Sequence, residues 1–304
     1  YNTYGQVGAG DNSSSYNYAR TVKINSTTQL TGITQVTHGG FHVCALNSSR
    51  QVYCWGYNNV GQVGQGNNTT SYYAYAMPVS GFSSTVGQRV ASLSAGLYHT
   101  CALLENGDVR CWGRNGNGQL GDGGTTSIYS PPTTTASGLT GFSQISAGYD
   151  YTCGIKSNVL YCWGLNTSGQ LGIGTTTSAT TPQALTISEA QTITEIQTYQ
   201  QSACAIINSS TTTGKVYCWG SNSTGAVGKS SVGTYTTPQV VMQYPGLTTA
   251  ISGVTKLSVG NSALGACLIM SSGQVQCSGG NTSGLMADPS NPDFTTINVI
   301  SSIP

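Results

Sequence analysis

Charge is what this chain most lacks. Asp, Glu, Lys and Arg make up 6% of its 304 residues, with a net charge of +1, where ordinary soluble domains carry about a quarter. No clustered basic face is available, so neither nucleic acid nor an acidic membrane surface is an expected partner. Long apolar runs are missing too. None approaches the roughly 20 residues of a membrane span, and no span is expected. Histidines number three, and no Cys-Xaa-Xaa-Cys pair occurs, which disfavours zinc and leaves no expected metal site. A 3.6-residue apolar period is absent as well, which excludes a helical solenoid.

In place of these the chain holds a repeated unit. Phe41 to Gly56 reads Phe-His-Val-Cys-Ala-Leu, a short polar turn, then Gln-Val-Tyr-Cys-Trp-Gly. The unit recurs at 98–113, 150–164, 202–220 and, in worn form with Ser278-Gly279 for Trp-Gly, at 264–279. Each copy has two alternating runs around a turn of Ser, Asn and Gly, the signature of a β-hairpin. The ten cysteines fall one per run. Facing positions on antiparallel strands lie within disulfide reach. The cysteines also keep their strand position while the turns vary in length. The expected bridges are therefore Cys44–Cys54, Cys101–Cys111, Cys153–Cys162, Cys204–Cys218 and Cys267–Cys277, which imply an oxidising compartment. Ten reduced core thiols are the competing reading.

Between the hairpins runs a second recurring segment. Tyr57-Asn-Asn-Val-Gly-Gln-Val-Gly64 returns as Arg114 to Gly121, Leu165 to Gly172 and Ser221 to Gly228, opens the chain as Tyr1 to Gly8, and decays at Asn281 to Met286. A loop follows, then a run containing proline (Pro78, Pro182, Pro238) that suits an outer edge strand, where a missing donor breaks no ladder bond. A run such as Val90 to Ala95 leads back into the hairpin. Four short strands per period suggest the blade of an all-β propeller. Alternation places Cys111 and Trp112 on opposite faces, so the tryptophans are read as packing residues between blades.

His-Xaa-Cys-Ala-Leu followed by Val-Tyr-Cys-Trp-Gly-Xaa-Asn-Xaa-Xaa-Gly-Gln-Leu-Gly closely resembles the repeat of the regulator of chromosome condensation (RCC1) propellers, in the cysteine-paired variant common in secreted and surface proteins. The resemblance covers nearly the whole chain. It implies one domain over 1–304, built of four-stranded blades in five repeats, or six blades with one split. It does not imply guanine-nucleotide exchange, because members include exchange factors, enzyme inhibitors and photoreceptors. It also makes the histidine before Cys, His42 or His99, a recurring structural residue; His38 is an isolated neighbour. Equivalent positions in different blades lie around a ring and cannot converge on one reaction. The acids are dispersed, with Glu105 and Asp108 on one turn and Asp122 beside Gly123-Gly124. No catalytic site is expected, and no cofactor either, since no helix follows the Gly-Gln-Xaa-Gly turns to receive a phosphate.

Asn-Xaa-Ser/Thr sequons at Asn12, Asn25, Asn47, Asn67, Asn68, Asn166, Asn208, Asn222 and Asn281 suggest glycosylation. Asn47 and Asn208 fall in hairpin turns and are expected at the surface. The chain opens at Tyr1 without methionine, as a processed N-terminus would. Tyrosines gather in the loops after the Gly-Gln-Xaa-Gly turns: Tyr16, Tyr18, Tyr72, Tyr73, Tyr75, Tyr129 and Tyr235. They either cover seams between blades or form a contact ring for sugar or protein. The expectation is a non-enzymatic extracellular or cell-surface module, adhesive or structural, whose partners are other protein subunits or surface glycans. A soluble secreted binding protein, lectin-like or inhibitor-like, is the alternative. Five hairpins against six Asn-Xaa-Xaa-Gly-Gln-like segments further suggest a five-blade ring closed by Thr21 to Ile24 beside the Cys267–Cys277 hairpin. That would leave a C-terminal tail, 288–304, free for strand addition to a neighbour in a fibre.

Overall fold

The computed structural model describes residues 1–187, 192–223, 227–228, 232–242, 249–259, 266–278 and 298–300. Every regular element among them is a β-strand. The first sheet runs β1 (Ile33–His38), β2 (His42–Asn47), β3 (Val52–Tyr57), β4 (Tyr72–Pro78) in that order. The second holds β5 (Val90–Ala95), β6 (His99–Leu104) and β7 (Val109–Gly113). The third holds β8 (Phe142–Ala147), β9 (Tyr151–Lys156), β10 (Val159–Gly164) and β11 (Ala179–Leu185). The fourth is β12 (Thr192–Thr198), β13 (Ser202–Asn208), β14 (Lys215–Ser221) and β15 (Thr234–Val240). The fifth is β16 (Val254–Val259), β17 (Ala266–Met270), β18 (Val275–Ser278) and β19 (Asn298–Ile300). Two compact units divide the chain, 1–152 with 179–182 and 153–178 with 183–304, so that the division falls within the third sheet.

The hairpins have the register that the cysteines require. Cys44 faces Cys54, Cys101 faces Cys111, Cys204 faces Cys218 and Cys267 faces Cys277. All five bridges form inside their own hairpin, with Cα–Cα distances from 4.0 to 4.1 Å. The first strand of a repeat carries a bulge, between Ile33 and Gln35 and between Ile193 and Glu195. Such bulges re-aim a side chain, and here the re-aimed residue clamps the next repeat. Gln35 accepts from the Leu93 amide at 2.9 Å and donates to the Leu93 carbonyl at 3.0 Å. Glu195 accepts from the Leu257 amide at 3.2 Å. Apolar layers then close between successive repeats. Leu46, Val52 and Val63 meet Val90, Leu93, Leu104 and Trp112 in one, and Ile206, Val216 and Val227 meet Val254, Leu257 and Leu268 in another.

Tryptophan ties three of the hairpins to the turn before them. Trp112 Nε1 donates to the Gln62 carbonyl at 3.0 Å and Trp219 Nε1 to the Gln170 carbonyl at 2.9 Å. Trp55 does the same to Gln6 at 2.8 Å. The N-terminal octet is therefore the turn that serves the first hairpin, which accounts for the surplus sixth segment. Val22, Ile24 and Leu30 pack with Trp55 and Ala76, and the Lys23 carbonyl accepts from the Ala76 amide at 2.8 Å.

Two expectations are corrected. The N-terminal strand does not complete the Cys267–Cys277 blade. β19 fills that place, pairing Cys277 with Asn298, Gln276 with Val299 and Val275 with Ile300. The chain's own C-terminal segment supplies the fourth strand, so the residues 298–300 are not left over for a neighbour; 288–297 and 301–304 lie outside the described residues. The second repeat has three strands, not four. A single bridge links Gly113 to Ile128. Counting on from it as from Gly56 and Tyr73 in the first repeat, Pro132 lands where Met77 faces Cys54. Proline has no amide hydrogen for that ladder position. A cavity of about 210 Å³ lies between this segment and Val109, Cys111, Leu120 and Leu139.

Candidate binding surface

The hairpin ladders end on a Gly that faces the residue before the first strand's core. Gly56 has φ +97°, and a Cβ there would lie 2.6 Å from the Phe41 carbonyl oxygen. Only glycine lets the two strands close this tightly. The next amide then bonds back across the end: Tyr57 to Phe41, Arg114 to Tyr98 and Ser221 to Gln201, each at 2.9 Å. These repeats thus present two side chains together at the same end, one three positions before the first cysteine and one just after Trp-Gly.

In the first two repeats those positions are largely aromatic. Phe41 and Tyr98 stack with centroids 6.0 Å apart and an interplanar angle of 23°. Tyr57 lies 6.2 Å from each of them. Tyr4 joins from the N-terminal turn, 4.3 Å from Tyr57 and 5.7 Å from Phe41. Phe41 remains 37% exposed, and the other three rings are half-buried. Burial, then the neighbouring Tyr4 and Tyr98, raise the Tyr57 phenol above its usual range, so it stands as a neutral donor and acceptor.

A polar border adjoins these rings. The Arg114 guanidinium lies 5.8 Å from the Tyr98 centroid and 3.9 Å from Asp150. Asp150 also accepts from Gln119 Nε2 at 2.9 Å. Burial raises the Asp150 carboxyl, and Arg114 and Gln119 pull it back down. One repeat earlier, Gln62 holds the place of Gln119, and Tyr98 the place of Asp150. Gln62 is buried, its Oε1 accepts from the Val60 amide at 3.1 Å, and its Nε2 has no partner. A buried amide hydrogen without an acceptor is uncommon and costly. Gln170 Nε2, at the same place in the turn after the third hairpin, is open as well.

The residues singled out in the sequence are dispersed by comparison. His42 and His99 are buried, with Nε2 at 2.8 Å from Thr100 Oγ1 and 2.9 Å from Thr152 Oγ1. Both imidazoles are pushed down to about 3, chiefly by burial. His38 is exposed, its Nδ1 at 3.5 Å from the Gly39 carbonyl. Glu105 pairs with Arg89 at 2.9 Å, Asp108 accepts from Asn106 and Asp122 from Asn115. Among the described residues no three His, Cys, Asp or Glu side chains gather as metal ligands, and no helix is long and apolar enough to cross a membrane.

The loop tyrosines serve largely in packing. Tyr73 and Tyr235 lie against apolar cores. The Tyr75 ring covers Gly10, where a Cβ would lie 2.6 Å away, and Tyr129 backs Gly61 in the same manner. Tyr72 is half-buried on β4, Tyr16 bonds Asp11, and Tyr18 stands 67% exposed beside Arg20. Among the sequons, Asn12, Asn25 and Asn68 are exposed, and Asn47, Asn67 and Asn208 are half-buried. Asn166 and Asn222 are corrected, since both are fully buried. Asn166 Nδ2 donates to the Thr175 and Thr177 carbonyls at 2.9 and 3.0 Å, and its Oδ1 accepts from Leu171. The Asn222 side-chain oxygen accepts from Val227 in the same way. These asparagines pin the loop from inside and cannot carry a glycan in the folded chain. Asn281 lies outside the described residues. The aromatic patch itself was missed by sequence reasoning; its signal was Phe41 and Tyr98 three positions before Cys, with Tyr57 after Trp-Gly.

The described strands match a known class. The model of the regulator of chromosome condensation (RCC1) repeat matches residues 51–103, 106–155 and 157–206, and a second model of the same repeat matches 33–62, 90–119 and 142–170. The chain belongs to the RCC1 repeat family, an all-β propeller class of short-stranded blades, here with a disulfide in each. It is similar to the ultraviolet-B receptor UVR8 of Arabidopsis thaliana, 32% identical over 197 residues, covering 64% of this chain and 43% of the receptor. It is also similar to the human E3 ubiquitin-protein ligase HERC2, 28% identical over 233 residues, covering 76% of this chain and 4% of the ligase. The chain thus spans less than half the length of either relative. Human WBSCR16 superposes with a TM-score of 0.68 at 18% identity, over 88% of this chain and 66% of that one. Yeast RCC1 (Prp20), solved bound to Kap60, gives 0.64 at 18% identity, over 89% and 75%. At that identity the likeness bears on fold.

Proposed function

We propose that this chain is a non-enzymatic recognition module of an extracellular or cell-surface protein, with an adhesive or structural role, and that it engages its partner through the Tyr4–Phe41–Tyr57–Tyr98 patch. The observation that carries the reading is the patch itself: four rings, each touching at least two of the others, in a chain with 6% charged residues. Aromatic residues collected at a surface supply rigid contact area with polar tips, the composition of interface anchors. The five bridges support an oxidising location, and the exposed sequons agree with it. Tyr73, Tyr75, Tyr129 and Tyr235 of the loops are engaged in packing, which moves the contact from the loops to the patch. The ligase activity of a relative matched over 4% of its length offers no reason to assign an enzyme here. Beads coated with the oxidised module should adhere to native cell coats. A Phe41→Ser, Tyr98→Ser double variant should lose adhesion at unchanged melting temperature. Equal adhesion by both proteins would overturn the reading.

A further inference from the structure

We infer that the patch is a carbohydrate subsite, in which the apolar face of a neutral pyranose ring lies on Tyr57 and Tyr98 while its hydroxyls meet Arg114 and Asp150. This rests on the recognition reading above and names its ligand class.

The rings are half-buried plates at an open surface, so they offer area to a flat ligand and no deep pocket for an extended apolar one. A pyranose has axial C–H bonds on its faces and hydroxyls around its edge, which matches rings bordered by polar groups. The border mixes signs. Arg114 supplies donors, and Asp150, 3.9 Å away, supplies acceptor oxygens. An anionic ligand meets the carboxylate and a cationic one meets the guanidinium; hydroxyls, which donate and accept at once, are served by both. The indole donors that would hold a proline-rich peptide carbonyl are already spent inside the fold, Trp55 on Gln6 and Trp112 on Gln62.

The border also selects the variant that tests the patch. Gln119 Nε2 donates to Asp150, and repeat equivalence directs Gln62 Nε2, buried and without an acceptor, at the Tyr98 position, where an aspartate would satisfy it.

The test is an NMR titration of the oxidised chain with cellohexaose, chitohexaose and mannohexaose, with oligogalacturonate as the anionic control. At least one neutral oligosaccharide should shift ring signals of Tyr4, Phe41, Tyr57 and Tyr98, and should bind more tightly than the control. The informative variant is Tyr98→Asp, which recreates the Gln119–Asp150 pairing and so satisfies Gln62. It should keep or raise the melting temperature while weakening binding at least about tenfold. Arg114→Gln should weaken binding less. Absence of patch shifts with every neutral sugar overturns the proposal, as do shifts that survive Tyr98→Asp. If sugars fail but adhesion is still lost in the Phe41→Ser, Tyr98→Ser variant, the patch recognises a protein and only the carbohydrate assignment falls. If adhesion is also unaffected, both readings fall.

Discussion

Acid should unfold this protein through two histidines. His42 and His99 sit against Gly39 and Gly96, where a Cβ would overlap their rings. Thr100 Oγ1 donates its own hydrogen to the Gln62 carbonyl at 3.0 Å, and Thr152 Oγ1 donates to that of Gln119 at 3.0 Å. Each threonine oxygen can therefore only accept from the histidine, which makes Nε2 the protonated nitrogen. Nδ1 of both rings is buried without a partner, so a second proton there would charge the ring where nothing stabilises it. That is why both imidazoles titrate at about 3 against about 6.5 in the unfolded chain. Above pH 6.5 both states are neutral and nothing is lost. Below it the unfolded chain binds protons that the folded chain refuses, so stability falls as pH falls, down to about 3. Each histidine contributes a slope of about 1.4 kcal/mol per pH unit, hence on the order of 4 kcal/mol lost between pH 6.5 and 5 for the pair. With nine carboxylates in the whole chain, little else titrates in that window. Asp150, raised by burial, works in the opposite direction, since protonating it favours the folded state. The assay is urea unfolding at a series of pH values. The third repeat places Tyr151, also fully buried, where the first two have histidine, against Gly148 as His99 is against Gly96, so His99→Tyr should fold and remove about half the slope. A flat profile from pH 6.5 to 5, or an unchanged slope in His99→Tyr, would refute the reasoning.

Three further outcomes are expected. Replacing Cys101 and Cys111 together by alanine should cost about 3 kcal/mol, from reopening a loop of separation 10, read as a lower denaturation midpoint; no change would mean the bridge adds nothing to the hairpin. Gly96→Ala should cost about 3 kcal/mol or more, because its Cβ would overlap the Gly148 carbonyl and the His99 ring. Gly66→Ala, with φ +78° but open space around it, should cost only about 1–2 kcal/mol, and equal costs would show that packing around Gly96 is not the constraint. If the chain is expressed through a secretory route, glycopeptide mapping should find sugar at some of Asn12, Asn25 and Asn68 and none at Asn166 or Asn222; glycan on Asn166 would mean that its buried hydrogen bonds are absent.

Much of the fold was legible because hairpins are local. Register within Phe41 to Gly56 follows from period-two alternation and a short turn, so the cysteine pairs follow from the spacing within one repeat. The packing role of tryptophan was legible for the same reason, although its hydrogen bond to the preceding Gln turn was not. The exchange of Met77 for Pro132 at a ladder position was also present in the sequence. It went unread because the outer-strand register could not be placed without the bridge at Gly113 and Ile128.

The chain alone therefore determined the repeat, its strands and its bridges, since these depend on contacts within one repeat. The tertiary structure decided everything that turns on which repeat meets which. A sequon is three residues long and says nothing of the loop that buries Asn166 by contacts up to 11 residues on. The hydroxyl that accepts from buried His42 lies 58 residues away. Four rings scattered between Tyr4 and Tyr98 became one surface only when the N-terminal turn docked on the first hairpin and the second hairpin stacked beside it.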